Sequence, residues 1–423
     1  MNLPYLTTDF PGIGGVIKQR NEDFFVQEIP LYEPSGEGEH VYFEIQKVGL
    51  TTFEAIHRIS SALNVPSREI GYAGLKDARA ISRQVFSVAG VTEAEVMGLK
   101  IDRITIQWAA RHGNKLRLGH LAGNRFAIKI RNVNPTDVVK LKQPLELLEK
   151  RGMPNFFGEQ RFGRRANNHL IGAALVRGDN QQVLQLLLGD PRPDIDGAHE
   201  LKAREFFAKR ENDESMKAWP RHCGMERRVL ARLIKAKKPN AAVRIIDEKL
   251  RRLWVSSLQS HMFNAVLAKR IATIDQVMIG DLAYKHDNGA CFHVEDVAVE
   301  QPRAEAFEIS PTGPLLGYRM TAPTGEPGAL EQAVFDEAKI SPKDFRNDGI
   351  DRVKGARRPL RVQPKDLEIS AGVDEHGPHI TTAFSLPAGS FATVLLRELM
   401  KTPDPEERIA ETEEEDEPVS EPA

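Results

Sequence analysis

The sequence is poor in cysteine and contains no long hydrophobic run. Only Cys223 and Cys291 occur among 423 residues, which excludes a disulfide framework and a zinc site built from cysteine thiolates. We interpret His222, beside Cys223, as incidental. No apolar run approaches the roughly 18 residues needed to span a membrane. The sequence therefore predicts a protein without membrane contact, located in the cytoplasm.

The chain also lacks a strong net charge, but its charges are unevenly distributed. The formal net charge is −2, and residues 402–423 hold ten acidic residues and one basic residue. This acidic tail carries −9, so the rest of the chain carries +7. A basic body favours a polyanionic partner, although an ordinary solvated surface can have the same composition. The tail is predicted to be disordered because it contains almost no apolar residues.

The length of the chain favours two domains, and its patterns mix strands with helices. Thr51 and Glu54 form a capping-box pattern that predicts a helix ending before Pro66. The apolar stripe expected for this helix consists of Phe53, Ile56, Ile59 and Leu63. Alternating apolar residues predict strands, and helical apolar periodicity predicts helices. The predicted strands lie within residues 16–29, 41–46 (half-buried), 104–108, 115–118 and 125–133, and the main predicted helices within 138–151, 166–188, 195–271 and 394–400.

One loop has a pattern typical of a displayed catalytic carboxylate. Residues 71–84 read GYAGLKDARAISRQ. The glycines and the small alanine allow a tight backbone path that presents Lys76 and Asp77 side by side before a strand. Lys76, Arg79 and Arg83 would keep the Asp77 carboxylate ionised, as a nucleophile or base requires. From this stretch alone, a surface turn with a solvated Asp–Lys pair is the alternative.

A second stretch combines aromatic, amide and arginine side chains. Residues 154–165 read PNFFGEQRFGRR. Phenylalanine can stack on a base, arginine can hold phosphate, and Asn or Gln can contact a base edge. The alternative is that the phenylalanines belong to the core, and we expect this of one of them. Further cations could hold phosphates or simply lie on a solvated sheet face: Arg103, Arg111, Lys115, Arg117 and Arg125.

Five short strings, taken together, resemble one family. They are NEDFFVQE at 21–28, AGLKD at 73–77, LRLG followed by GN at 116–124, PNFFGEQRFG at 154–163, and LPAGSF at 386–391. In order and spacing they are similar to the TruD family of tRNA pseudouridine synthases. Each string is a weak signal by itself, whereas five in the correct order are specific.

The resemblance implies a fold and a domain organisation. The implied fold class is α+β, with a mixed, mainly antiparallel sheet of the pseudouridine-synthase type and flanking helices. An inserted α/β TRUD domain would interrupt this sheet domain. The implied boundaries are 1–180 and 366–401 for the two parts of the catalytic domain, 181–365 for the inserted domain, and 402–423 for the tail.

The resemblance also implies an activity and a site. The activity is isomerisation of the uridine at position 13 of tRNA to pseudouridine, with no cofactor and no metal, and we expect a monomer. Asp77 would be the catalytic aspartate, Lys18 its basic partner, and Phe157 the aromatic residue that stacks on the target base. The implied further lining of the uridine pocket consists of Phe24, Asn155 and Phe391.

Two alternatives stay open at this point. A non-catalytic RNA-binding or RNA-chaperone protein of the same fold would share the basic body but would not need Asp77. A glycoside hydrolase could use Asp77 and Glu28 as a carboxylate pair, with one acid of raised pKa. Glu28 lies at the end of a predicted strand, where a structural role is the simpler interpretation.

Overall fold

The computed structural model describes residues 3–346 and 352–402. The acidic tail beyond residue 402, for which we predicted disorder, lies outside the described residues. The structure divides into two compact units. We call the unit formed by residues 9–149 and 364–402 the sheet unit, and the unit formed by the described residues of 3–8 and 150–363 the helical unit.

Residues within each unit contact one another more than they contact the other unit. The chain passes from the sheet unit to the helical unit after residue 149 and returns after residue 363. The domain boundaries at 180 and 365 implied by the family resemblance stay a prediction.

The first part of the sheet unit is dominated by strands. They are β1 (Phe24–Pro30), β2 (His40–Val48), β3 (Gly71–Tyr72), β4 (Ile81–Ala89), β5 (Ile104–His112) and β6 (Leu121–Arg131). The helices along this part of the chain are α1 (Thr52–Leu63), α2 (Glu93–Met97) and α3 (Lys142–Arg151).

The helical unit is built around one long helix. Its helices are α4 (Asn168–Val176), α5 (Asn180–Leu188), α6 (Ala198–Ala208), α7 (Asn212–Ala218), α8 (Gly224–Ala236), α9 (Pro239–Val243), α10 (Glu248–Arg270), α11 (Val297–Glu305) and α12 (Gly325–Ala338). The buried residues Trp254, Leu258 and Met262 of α10 join a core that includes α4 and α5. Of the helices in the described residues, none is both long and apolar enough to cross a membrane.

Two small sheets complete the helical unit. Their strands are β7 (Met153–Pro154), β8 (Leu282–Lys285), β9 (Cys291–His293), β10 (Ile309–Leu315), β11 (Ala356–Pro359) and β12 (Arg361–Val362). Four of them form a sheet in the order β11-β10-β8-β9, and β7 pairs with β12. The second pairing joins the start of the 154–165 stretch to a strand more than 200 residues later.

The chain returns to the sheet unit with β13 (Lys365–Asp374), β14 (Gly377–Pro387) and α13 (Ala392–Met400). The large sheet has the order β13-β14-β6-β1-β4-β2-β5, with β3 paired to β4. Among these pairs β1 and β4 run parallel, and the others run antiparallel. This mixed, mainly antiparallel sheet with flanking helices confirms the predicted α+β class.

Helix α1 begins where its capping box predicted. The Thr51 hydroxyl accepts a hydrogen bond from the Glu54 N–H, and the Glu54 carboxylate accepts one from the Thr51 N–H. These two bonds satisfy N–H groups that have no partner within the helix. The helix ends at Asn64, which has left-handed backbone angles, two residues before Pro66. Ile56 and Ile59 are buried as expected.

Two sequence-based predictions in the sheet unit are wrong. Residues 115–118 do not form a strand, because the Leu116 N–H donates to the Ser87 hydroxyl instead of joining a ladder. The second is the half-buried character of β2. Its polar positions Tyr42 and Glu44 are buried like the apolar ones, and Gln46 is partly buried. Both faces are packed, because Val41, Phe43 and Ile45 join one apolar cluster and Tyr42 joins another.

Candidate functional site

Three of the predicted site residues lie together in the sheet unit, and we call Lys18, Phe24 and Asp77 the Asp77 cluster. The Lys18 ammonium donates a hydrogen bond of 2.9 Å to Asp77 Oδ2. The Asp77 side chain is 51% exposed, whereas the Lys18 side chain is 6% exposed. The same ammonium lies 4.6 Å from the centre of the Phe24 ring. An accessible carboxylate is thus held against a buried cation.

The backbone of the cluster is unusual at Lys18. This residue has a φ of 58°, in the left-handed region that residues other than glycine seldom adopt. Such a conformation persists where surrounding contacts fix it, and it is common at functional sites. The Lys18 side chain is therefore positioned by its backbone conformation at one end and by the ion pair of its ammonium with Asp77 at the other.

The backbone of the loop that carries Asp77 is anchored by polar side chains of β2, α1 and β4. Lys47 donates to the Asp77 carbonyl oxygen at 3.0 Å. The Lys76 N–H donates to the Thr52 hydroxyl at 2.9 Å, and Gln84 Nε2 donates to the Gly74 carbonyl at 2.7 Å. Contacts at positions 74, 76 and 77 fix three points of the main chain, so the loop is held at its backbone and presents the Asp77 carboxylate.

Glu28 is part of this anchoring and is not available as a second catalytic carboxylate. Its Oε1 lies 2.8 Å from the Lys76 ammonium in a buried ion pair, and its Oε2 accepts a hydrogen bond of 3.0 Å from the Val85 N–H. The Glu28 side chain is 1% exposed. A sugar substrate could not reach it, so the structure does not favour the glycoside hydrolase alternative, and the structural interpretation of Glu28 fits.

The other predicted residue of the sheet unit is Phe391. It is partly buried and precedes α13, directly after the Gly389 turn, where φ is 80°. Phe24 is itself buried, with its ring edge-to-face against Phe126 at 6.2 Å. Phe24 therefore supports Lys18 from within the core, and Phe391 lies nearer the surface.

Asn155 and Phe157 lie in the helical unit, and with Asn264 and Arg358 we call them the Phe157 cluster. The Asn264 side chain accepts a hydrogen bond from the Phe157 N–H at 2.9 Å and donates to the Phe157 carbonyl at 3.0 Å. Asn264 is fully buried on α10. Two bonds to one residue fix the peptide groups on both sides of Phe157, and so the direction of its ring.

A partly buried arginine completes this cluster. The Arg358 guanidinium lies 4.3 Å from the centre of the Phe157 ring and donates to Asn155 Oδ1. Burial, with a contribution from Arg161, lowers the pKa of Arg358 to about 10. Asn155 is buried and donates to the Pro359 carbonyl at 2.9 Å. The Phe157 ring, by contrast, is only partly buried.

The other phenylalanines of the 154–165 stretch are core residues. Phe156 and Phe162 are buried, as the alternative interpretation expected of at least one of them. Arg131 on β6, which is not among the cations considered for phosphate binding, is buried and pairs with Asp23 at 2.6 Å and with Asp374 at 2.8 Å.

Within residues 3–346 and 352–402, one group of side chains could hold a metal ion. The donor atoms of Glu200, His222 and Cys223 all lie within 4.8 Å of one another. The Glu200 carboxylate is already paired with Arg164 at 2.5 Å, and burial raises the pKa of the Cys223 thiol to about 11. Because a metal binds the thiolate, this neutral thiol beside a paired carboxylate does not favour a metal site.

Sequence reasoning missed three residues that build the two clusters: Lys47, Asn264 and Arg358. A lysine on a strand normally indicates a solvated charge, and an asparagine within a long helix normally faces water. No local pattern marks these three residues, since the cluster residues that they contact lie 30 to 203 residues away in the sequence.

Comparisons with known proteins agree with the strings found in the sequence. The model of the family "tRNA pseudouridine synthase D (TruD)" matches residues 1–399. A tRNA pseudouridine synthase D of Geobacter sulfurreducens is 50% identical over 402 residues, which cover 94% of this chain and 97% of that protein. The one of Anaeromyxobacter sp. is 35% identical, over 95% of this chain and 96% of that protein.

A solved structure shows that the similarity extends to the fold. The crystal structure of a putative tRNA pseudouridine synthase D from Methanosarcina mazei superimposes with a TM-score of 0.85 and is 30% identical. The match covers 96% of this chain and 99% of that chain. The matched residues span nearly the whole chain and include both clusters. The chain therefore belongs to the TruD family of tRNA pseudouridine synthases.

Proposed function

We propose that this protein isomerises uridine at position 13 of tRNA to pseudouridine, with Asp77 as the nucleophile. The observation that carries the proposal is the accessible Asp77 carboxylate held 2.9 Å from the buried Lys18 ammonium, in a chain of this family. A nucleophilic carboxylate needs to be accessible and held in place, and both follow from this arrangement. The proposed enzyme is a cytoplasmic monomer that needs neither cofactor nor metal.

The chemistry of the reaction explains why a carboxylate suffices. The bond from the ribose C1′ to N1 of the base breaks, and a bond from C1′ to C5 forms. C5 loses one proton, N1 gains one, and no other group is added or removed. The reaction therefore needs a persistent anion close to the nucleotide, together with a surface that keeps the detached base in place. Lys18 pairs with the Asp77 carboxylate and directs its Oδ2.

The proposed role of Phe157 is to hold the base. One side of its ring faces the Arg358 guanidinium, and Phe263 meets it edge-to-face at 5.6 Å. These contacts fix the ring without enclosing it, as stacking on a base requires. A uridine inside a folded tRNA must first leave its stack. Asn155 in the helical unit, and Phe24 and Phe391 in the sheet unit, are proposed to contribute to uridine binding.

The test compares the wild-type chain with Asp77→Asn on unmodified tRNA transcripts, with pseudouridine mapped by base-specific chemical labelling. The substitution nearly preserves shape but removes the anion, so we expect one modified uridine with the wild type and none with the variant. A transcript with cytidine at position 13 serves as the substrate control. Ordinary activity of Asp77→Asn would disprove the role of Asp77. If neither protein forms pseudouridine while both bind tRNA, the non-catalytic RNA-binding alternative holds instead.

A further inference from the structure

Lys47 is fully buried beneath the loop that carries Asp77. Lysine is almost never fully buried unless its ammonium is satisfied by partners. The Lys47 ammonium has three N–H donors and meets three oxygen atoms: the carbonyls of Leu50 and Asp77, and the Ser82 hydroxyl at 3.4 Å. The donors and acceptors match in number, so the charged form fits this position.

We propose that Lys47 is a positioning residue for the nucleophile, because its ammonium ties the Asp77 peptide group to β2 and thereby aims the carboxylate at Lys18. This inference rests on the proposed function of Asp77. Lys47 itself makes no contact with the Asp77 carboxylate among its hydrogen bonds in the described residues, and it acts through the main chain.

The position of Lys47 in the sheet explains why it can do this. Lys47 lies on β2 directly opposite Ser82 of β4. Ser82 follows Asp77 by five residues in the chain. The side chain therefore extends under the end of the loop, where the chain enters the strand. Thr52 and Gln84 hold positions 76 and 74, and Lys47 holds Asp77 itself. An apolar side chain in its place would leave the carbonyls of Leu50 and Asp77 without this donor.

The charge of Lys47 makes the arrangement sensitive to alkaline pH. The pKa of Lys47 is lowered to about 8, chiefly by burial. Asp77 opposes this shift, as Glu54 and Glu28 do, and Lys76 adds to it. A neutral amine has two N–H donors for three oxygen atoms. As the pH rises through about 8, one of the contacts is therefore lost, and the Asp77 loop becomes less well fixed.

The experiment compares Lys47→Met with a matched control, Lys100→Met, which makes the same change at an exposed position of the same unit. Single-turnover rates and tRNA dissociation constants are measured for both variants. We expect Lys47→Met to lower the rate about 100-fold, as displaced catalytic groups commonly do. The dissociation constant should stay within about twofold, since phosphate contacts dominate tRNA affinity.

A second readout does not depend on activity. Hydrogen exchange of the amides of residues 74–79, measured by mass spectrometry, should be faster in Lys47→Met than in the wild type and unchanged in Lys100→Met. In the activity assay, the single-turnover rate of the wild type should decline between pH 7.5 and 9. Where Lys47→Met fails to fold, Ser82→Ala, which removes a single acceptor, gives a smaller change in the same direction.

The outcomes separate this inference from the proposed function. Unchanged exchange at 74–79 in a folded Lys47→Met, a rate equal to that of the wild type, or a wild-type rate that is flat from pH 7.5 to 9 would overturn the positioning role. Activity retained by Asp77→Asn would overturn the nucleophile instead. Exchange at 74–79 decides the structural claim about Lys47 even for a protein that forms no pseudouridine.

Discussion

The contacts that hold the Asp77 cluster and the Phe157 cluster differ in how far apart their residues lie in the sequence. Lys18 and Lys47 reach Asp77 from 59 and 30 residues away, within the sheet unit. Asn264 reaches Phe157 from 107 residues away, and Arg358 reaches Asn155 from 203 residues away. The first cluster therefore joins positions closer in sequence, whereas the second needs both α10 and the late strand β11.

The two clusters also differ in how each uses a cation, which is buried in the first cluster and partly buried in the second. In the Asp77 cluster, Lys18 contacts the Asp77 carboxylate directly. In the Phe157 cluster, Arg358 contacts the face of an aromatic ring. The first cation therefore acts on the charge of the proposed nucleophile, and the second acts on the placement of the proposed stacking surface. Substitutions in the first cluster should change turnover more than those in the second.

The largest effect is expected for Lys18→Met. The substitution removes the ammonium beside Asp77 while keeping most of the side-chain volume. Removing a preorganised electrostatic partner commonly costs about 100- to 1,000-fold in kcat, and we expect a loss of that size with tRNA affinity nearly unchanged. Single-turnover rates and tRNA binding assays measure the two quantities.

The matched control is Lys18→Arg, which restores the positive charge. Partial recovery of the rate with arginine would show that charge, and not merely packing against Phe24, is what Asp77 needs. A Lys18→Met variant with the turnover of the wild type would break the comparison, because the ion pair would then have no catalytic consequence.

A smaller loss of activity is expected for Phe157→Ala. Base–aromatic stacking contributes about 1–3 kcal/mol, so turnover should fall by roughly 10- to 100-fold. Overall tRNA affinity should change little, because phosphate contacts dominate it. Rates and dissociation constants are measured as before. A loss of affinity larger than the loss of turnover would count against the pocket role of Phe157.

Asn264 offers a sharper form of the same test. If Asn264 acts by holding Phe157, then Asn264→Ala should slow a protein that has Phe157 and add little to Phe157→Ala. Such non-additivity is what residues in direct contact show in a double-mutant cycle. Additive losses would mean that the two residues contribute independently. Phe157→Leu, which keeps an apolar side chain without the aromatic face, is the control for packing.

The contrast between the clusters also explains how much could be predicted from sequence. The Asp77 loop, the α1 cap and the α+β class follow from local patterns, because glycine spacing, capping boxes and alternation act over few residues. The resemblance brought Lys18 and Phe157 to attention. Lys47 was not found, since a buried lysine and a solvated one look alike in a strand sequence.

The errors have similar causes. The stretch 115–118 alternates like a strand, but the Ser87 side chain takes the hydrogen bond that a neighbouring strand would have received. Phe53 matched the apolar stripe of α1, yet it is 61% exposed, because the buried face of the helix includes Ala55, Ile56 and Ile59 instead. Such outcomes depend on which distant residues contact the segment in the folded protein, and local sequence patterns do not specify these contacts.

The smallest expected effect concerns acid, and it distinguishes the two units. His169 of α4 and His261 of α10 stack at 4.2 Å in the helical unit. Burial lowers the pKa of His169 to about 4, and it lowers the pKa of His261 as well. An unfolded histidine titrates near 6.5, so unfolding takes up protons between pH 6.5 and about 4. The stability from this pair is complete above pH 6.5 and declines as the pH falls toward 4.

Thermal unfolding at pH 7.5 and pH 5 measures this effect. We expect His169→Phe to reduce the loss of melting temperature between the two pH values by about 2–4 °C, corresponding to roughly 1 kcal/mol. His57→Phe, at an exposed position of the sheet unit, is the control and should leave that difference unchanged. Equal pH dependence in His169→Phe and the wild type would contradict the prediction. Because Asn264 lies one turn beyond His261 on α10, acid should weaken the support of Phe157, whereas alkaline pH should weaken the support of Asp77 through Lys47.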